Sequence, residues 1–151
     1  MTGAAPQLVY GTCVALGSVG ALLQGPSASG KSDLALRFAL QTAPELGAAL
    51  VADDQVLVSP EEGRLIARPP ERIAGRIEVR GIGIVTLPFR AEAELRLLIT
   101  LVDDFADVPR LPRWGEEDRA QFCGLWLPVL AMAPFEASAC LKLRLALERV
   151  A

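Results

Sequence analysis

A chain of 151 residues and 16.1 kDa has room for one domain of ordinary size, which excludes two enzymatic modules. Hydrophobic residues make up 52% and charged residues 22%, a composition that excludes disorder, and 15 basic against 18 acidic residues leave a net charge of -3. That balance excludes the broad positive field that nucleic acid demands, and the absence of histidine removes Ser-His-Asp triads, Cys-His pairs and imidazole metal sites together.

Along the chain, Leu8 to Gln24 is apolar and β-prone, broken by Gly17 and Ser18, and predicts two short strands around a tight turn. Gly25 follows directly, and Lys31 to Leu40 is made of strong helix formers with Leu34 and Phe38 four apart. Ala48 to Ala52 predicts a buried strand ending in Asp53 and Asp54, and Gln55 to Ser59 with Arg64 to Arg68 predicts a hairpin around Pro60-Glu61-Glu62-Gly63. Within Ile73 to Thr86, strand alternation points Glu78 and Arg80 away from Ile77 and Val79, side by side on one face. Leu95 to Val102 reads as a core strand, Pro109 to Glu117 as a proline-marked surface loop, and Glu136 to Ala151 as a closing amphipathic helix. Cys13, Cys123 and Cys140, odd in number and far apart, read as reduced core thiols. No apolar run reaches the roughly 18 residues of a membrane span, and the N-terminus lacks a secretion signal. The expectation is one α/β domain over residues 1–151, cytoplasmic, with neither a membrane nor a nucleic-acid partner.

The chemistry lies in Gly25-Pro26-Ser27-Ala28-Ser29-Gly30-Lys31-Ser32, which fits the phosphate loop G-x-x-x-x-G-K-[ST]. Its glycines let backbone N–H groups curl around phosphate oxygens, and the following helix offers its positive end to the anion. Lys31 is placed to reach the β- and γ-phosphates, and the Ser32 hydroxyl to hold Mg²⁺. Such a loop needs a carboxylate at the end of a neighbouring strand, where Asp53 and Asp54 stand, and without histidine a carboxylate is the natural base. Arg80 and the thin backbone at Gly81 and Gly83 lift Glu78 above an ordinary strand glutamate, and Arg110, between Pro109 and Leu111-Pro112, is a cation on a rigid loop.

The order of these motifs resembles the catalytic domain of the HPr kinase/phosphorylase family, above all its short proteobacterial members without the N-terminal domain. The segments that carry the resemblance are Gly25 to Arg37, Leu50-Val51-Ala52-Asp53-Asp54 and Glu78-Val79-Arg80-Gly81-Ile82-Gly83-Ile84. It implies a domain similar to the nucleotide-binding part of phosphoenolpyruvate carboxykinase, a mixed central sheet with flanking helices. It also implies ATP and Mg²⁺ as cofactors, assembly as a homo-oligomer, usually a hexamer, and phosphorylation of a serine of the phosphocarrier HPr.

Carried over residue by residue, the resemblance puts the loop lysine on Lys31, the Mg²⁺ ligands on Ser32 and Glu78, and the base on the Asp53-Asp54 pair, with Asp54 the choice. The later catalytic arginine falls on Arg110, with Arg119 in competition. Two departures stand out. Tyr10 holds the place of a family histidine, and a phenol with a pKa of about 10 cannot shuttle protons at neutral pH. Glu136 lies in a late segment where bifunctional relatives have arginine, so reverse phosphorylase activity is expected to be weak or absent. A small-molecule phosphate-loop kinase and a non-catalytic ATP-binding module are the competing readings.

Overall fold

The structure is a computed structural model that describes residues 5–151. Its elements are β1 (Gln7–Tyr10), β2 (Thr12–Leu16), β3 (Val19–Gln24), α1 (Lys31–Gln41), β4 (Ala48–Ala52), β5 (Gln55–Glu61), β6 (Arg64–Arg68), β7 (Arg76–Val79), β8 (Gly83–Thr86), β9 (Ala93–Leu101), β10 (Arg119–Phe122), β11 (Leu125–Met132) and α2 (Ala139–Val150). The N-terminal stretch thus holds three strands, not the two expected. Gly11 makes the break: a Cβ there would lie 2.8 Å from the Leu23 carbonyl oxygen, so the chain leaves one pairing partner and meets another at a residue without a side chain. The closing helix begins at Ala139, later than expected, because Pro134 to Ser138 form a turn.

Nine strands form one mixed sheet whose main path is β1-β5-β6-β9-β3-β2-β4. β9 is its spine, antiparallel to β6 at its start and parallel to β3 and β11 further on. The strand Leu125–Met132 changes partner midway, pairing with β10 through Pro128 and with β9 from Val129. Proline has no N–H to give a ladder, so it suits the handover.

Both helices pack on one face of the sheet, where Leu34 and Phe38 of α1 and Leu143 and Leu147 of α2 meet Val14, Leu23, Leu50, Leu97 and Ile99. On the other face the sheet curls onto itself: Val9, Val56, Val58, Leu65 and Ala67 close over Cys13, Leu22, Val51 and Leu95. Full burial there pushes the Cys13 thiol up to about 12, whereas Cys123 and Cys140 are only partly buried, which corrects the reading of all three as core thiols. β7 and β8 form a separate two-stranded ribbon that lays Ile77, Val79 and Val85 against the α1 side of the core. Among the described residues, no helix is long and apolar enough to cross a membrane.

Candidate functional site

The parallel strands β3, β9 and β11 all end at the same edge of the sheet, and the phosphate loop leaves β3 there. The loop is tight. Ser29 N–H donates to the Pro26 carbonyl at 3.1 Å, Ala28 has a φ of +63°, and Gly30 ends the loop at a φ of +101°. A Cβ on Gly25 would lie 2.6 Å from Ser29 Oγ, and one on Gly30 would lie 2.9 Å from the Phe135 ring and 3.0 Å from Pro134, so both motif glycines are required sterically. No side chain caps the N-terminus of α1, which leaves its first amides directed into the loop.

Lys31 Nζ donates to the carbonyls of Gly25 at 2.7 Å and Pro26 at 3.0 Å, bridging the loop it belongs to. The next residue reaches the neighbouring strand end, where Ser32 Oγ donates to Asp53 Oδ1 at 2.7 Å. Thr12 Oγ1 donates to the same oxygen at 3.0 Å, and among the described residues no donor reaches Asp53 Oδ2. The adjacent carboxylates have opposite settings. Asp53 is buried at 9% exposure, whereas Asp54 is exposed and held at a φ of +67°, with its carbonyl accepting from Gly11 N–H at 3.0 Å.

The donor set suits a nucleotide phosphate and a hard cation. An ammonium, uncapped helix amides and the buried Ser29 hydroxyl, which has no hydrogen-bond partner among the described residues, line the loop, and a serine hydroxyl with a carboxylate oxygen stands beside it. Asp53, Asp54 and Glu78 do not gather into a metal-holding group of three, since no such cluster of acids or thiols exists among the described residues.

The other expected site residues are placed as follows. Glu78 is exposed on β7 opposite Ile84. Arg80 does not stand beside it on the strand, because β7 ends at Val79 and Arg80 enters the turn closed by Ile82 N–H on the Val79 carbonyl. Arg110 lines a cavity of about 760 Å³ with Phe105, Trp114, Lys142 and Arg149, and that lining includes no residue of Gly25 to Ser32. Arg119 stacks over the Trp126 ring at 4.3 Å, on the β10–β11 hairpin. Tyr10 is 68% exposed, and its phenol has no hydrogen bond among the described residues. Glu136 pairs with Lys142 at 2.9 Å. Sequence reasoning missed Thr12 as a partner of the aspartates. It also missed Arg37, which pairs with Asp33 at 2.9 Å and donates to the Pro134 carbonyl behind the loop.

Comparison with known proteins agrees with this geometry. The HPr kinase/phosphorylase of Clostridium tetani is 39% identical over 80 residues, and that of Malacoplasma penetrans is 27% identical over 118 residues. The chain covers 25% and 38% of those two proteins, so it spans well under half of the curated relatives it matches. The structure of the HPr(Ser) kinase/phosphatase from Coxiella burnetii superimposes with a TM-score of 0.76 at 25% identity, covering 95% of this chain and 94% of that one. Residues 3–122 match the family described as the HPr Serine kinase C-terminal domain, and with the phosphate loop and its paired aspartates in place the chain belongs to that family.

Proposed function

We propose that this protein is an ATP- and Mg²⁺-dependent protein-serine kinase that phosphorylates HPr or a similar small phosphocarrier, acting in the cytoplasm as a homo-oligomer. The observation that carries the reading is the shared oxygen of Asp53. It holds the Ser32 hydroxyl at the mouth of a phosphate loop while the neighbouring Asp54 carboxylate faces solvent.

In this reading the loop amides and Lys31 hold the nucleotide phosphates, and Lys31 exchanges its two carbonyl partners for phosphate oxygens. Bound Mg²⁺ supplies charge neutralisation across the phosphates. Ser32 Oγ, with its proton committed to Asp53, would give a lone pair to the cation, Asp53 Oδ2 would stand beside it, and Glu78 is assigned as a further ligand by the family resemblance alone. Asp54 takes the proton of the substrate serine as that oxygen bonds to the γ-phosphorus and ADP departs. Running the reaction backwards requires a second phosphate dianion near these carboxylates. Glu136 is an acid that already pairs with Lys142 and brings no free cation to the phosphate, so forward transfer dominates.

The test is incubation with labelled ATP, Mg²⁺ and purified HPr, followed by mapping of the labelled residue. Label on one HPr serine supports the reading. Label confined to a small molecule, or ATP binding with no transfer to any carrier, overturns it.

A further inference from the structure

Thr12 is fully buried at the first position of β2, and its hydroxyl is spent on the two aspartates. Oγ1 donates its only proton to Asp53 Oδ1 at 3.0 Å and lies 3.5 Å from the Asp54 N–H, which it accepts. One residue earlier, Gly11 N–H donates to the Asp54 carbonyl at 3.0 Å. Two consecutive residues therefore bind three different groups of the Asp53-Asp54 turn. Gly11 has no room for a side chain beside the Leu23 carbonyl, and the residue after Thr12, Cys13, sits in register with Ala52 across the sheet.

The consequence for the carboxylate is directional. Two hydroxyl protons converge on Oδ1, which fixes the plane of the Asp53 carboxyl group and keeps Oδ2 turned away from both donors. Without Thr12, Ser32 alone would hold Asp53, and a carboxyl group held by one hydrogen bond can rotate about its terminal torsion. The Asp54 backbone, at a φ of +67°, would lose one of its two hydrogen bonds at the same time.

We infer that Thr12 is a positioning residue for the cation and the base: its hydroxyl orients Asp53 so that Ser32 and Asp53 Oδ2 present their oxygens to a divalent cation, and steadies the backbone that carries Asp54. It touches neither nucleotide nor substrate. The inference rests on the nucleotide-binding part of the function proposed above and is independent of which protein or molecule accepts the phosphoryl group.

The experiment titrates Mg²⁺ into the full chain with ATP and reads binding of ATP by calorimetry, alongside a titration of ATP in chelator. Thr12→Val keeps the shape and removes the hydroxyl, and is expected to raise the Mg²⁺ midpoint about tenfold, the usual effect of losing a partner that orients a metal ligand. Its ATP affinity in chelator should stay within about twofold of wild type, because the phosphate loop is untouched. Thr12→Ser, which restores the hydroxyl, should recover the wild-type midpoint. Should Thr12→Val fail to fold, the pair Thr12→Ala and Thr12→Ser, nearly equal in size and different in the hydroxyl, gives the same reading. An unchanged midpoint in a folded hydroxyl-free variant overturns the inference, as does a Ser variant as impaired as the hydroxyl-free one. Wild-type protein that binds ATP and Mg²⁺ yet transfers nothing to HPr overturns the substrate assignment and leaves Thr12 standing. Wild-type ATP binding with no response to Mg²⁺ overturns both.

Discussion

Two motif-bearing regions of this molecule are built in opposite ways. Around Gly25 to Ser32 the side chains that end the motif are engaged within the chain: Lys31 on loop carbonyls, Ser32 together with Thr12 on Asp53. Along Arg76 to Thr86 the reverse holds. The inward residues Ile77, Val79 and Val85 pack on the core, while Arg76, Glu78 and Arg80 stand exposed with no hydrogen bond or ion pair among the described residues. The first region is preorganised before anything binds, and the second is a ribbon whose polar face is completed only by something outside it. Preorganised groups show up in stability as well as in function; unengaged ones show up in function alone.

Substitutions can break that contrast, and the largest effect is expected at Lys31. Lys31→Ala should lower phosphoryl transfer about 10³-fold, since it removes the cation over the transferred phosphates. It also frees the carbonyls of Gly25 and Pro26, so a small fall in melting temperature should accompany the loss. Steady-state transfer assays with thermal melts would check both, and full activity with normal ATP affinity would remove the loop from the mechanism.

Asp54→Asn should cost about 10² in kcat, the worth of a positioned base, with ATP binding and melting temperature unchanged because its carboxylate is exposed. Asp53→Ala, in contrast, should lower stability by about 1–3 kcal/mol in denaturant unfolding, because the buried Thr12 hydroxyl loses its acceptor. If Asp53→Asn lowers kcat more than Asp54→Asn does even at saturating Mg²⁺, the roles of the pair are reversed.

Glu78→Gln sharpens the other side of the comparison. It should raise the Mg²⁺ requirement several-fold, roughly the effect of losing one carboxylate from a hard-cation site, and leave the melting temperature untouched. An unchanged Mg²⁺ dependence would return Glu78 to the role of a solvated strand residue.

The smallest effect belongs to a control far from either region, where Arg68 contacts Glu61 and Glu92 on the rim of β5 and β6. Hydrogen bonds from Arg68 and then Ser59 hold the Glu61 carboxyl below its ordinary value. A depressed carboxylate stabilises the fold above its unfolded pKa and loses that contribution as pH falls through the depressed one. Arg68→Met should therefore lower stability slightly at neutral pH, and the gap to wild type should close as the medium becomes more acidic than the ordinary carboxylate range. A gap that persists in acid would point to packing of the Arg68 stem instead.

How much of this was legible in the sequence differs by residue type. The loop and the aspartates could be read because glycine, lysine and acid at fixed spacing have few other uses, and the Arg76 to Thr86 alternation correctly turned Ile77 inward. Thr12 could not be read, because a threonine in an apolar stretch is also a good strand former and its partner lies far along the chain. β10 and β11 went unseen because Pro128 interrupts a strand pattern, and only the structure shows two partner strands meeting there. Arg110 was read as a cation for the transferred phosphate from its rigid loop; that it lines a cavity beside α2 is something loop rigidity alone could not tell.

The contact of Gly30 with Phe135 and Pro134 also bears on when the site comes into being. A chain emerging from the ribosome presents its N-terminal segments first. Here the phosphate loop and both aspartates are made early, yet the rear wall of the loop comes from the turn before α2, and Arg37 of α1 is tied to that same turn. The loop is therefore synthesised well before the residues that back it. A loop that leans on so distant a turn is set by the tertiary fold and not by its local sequence alone.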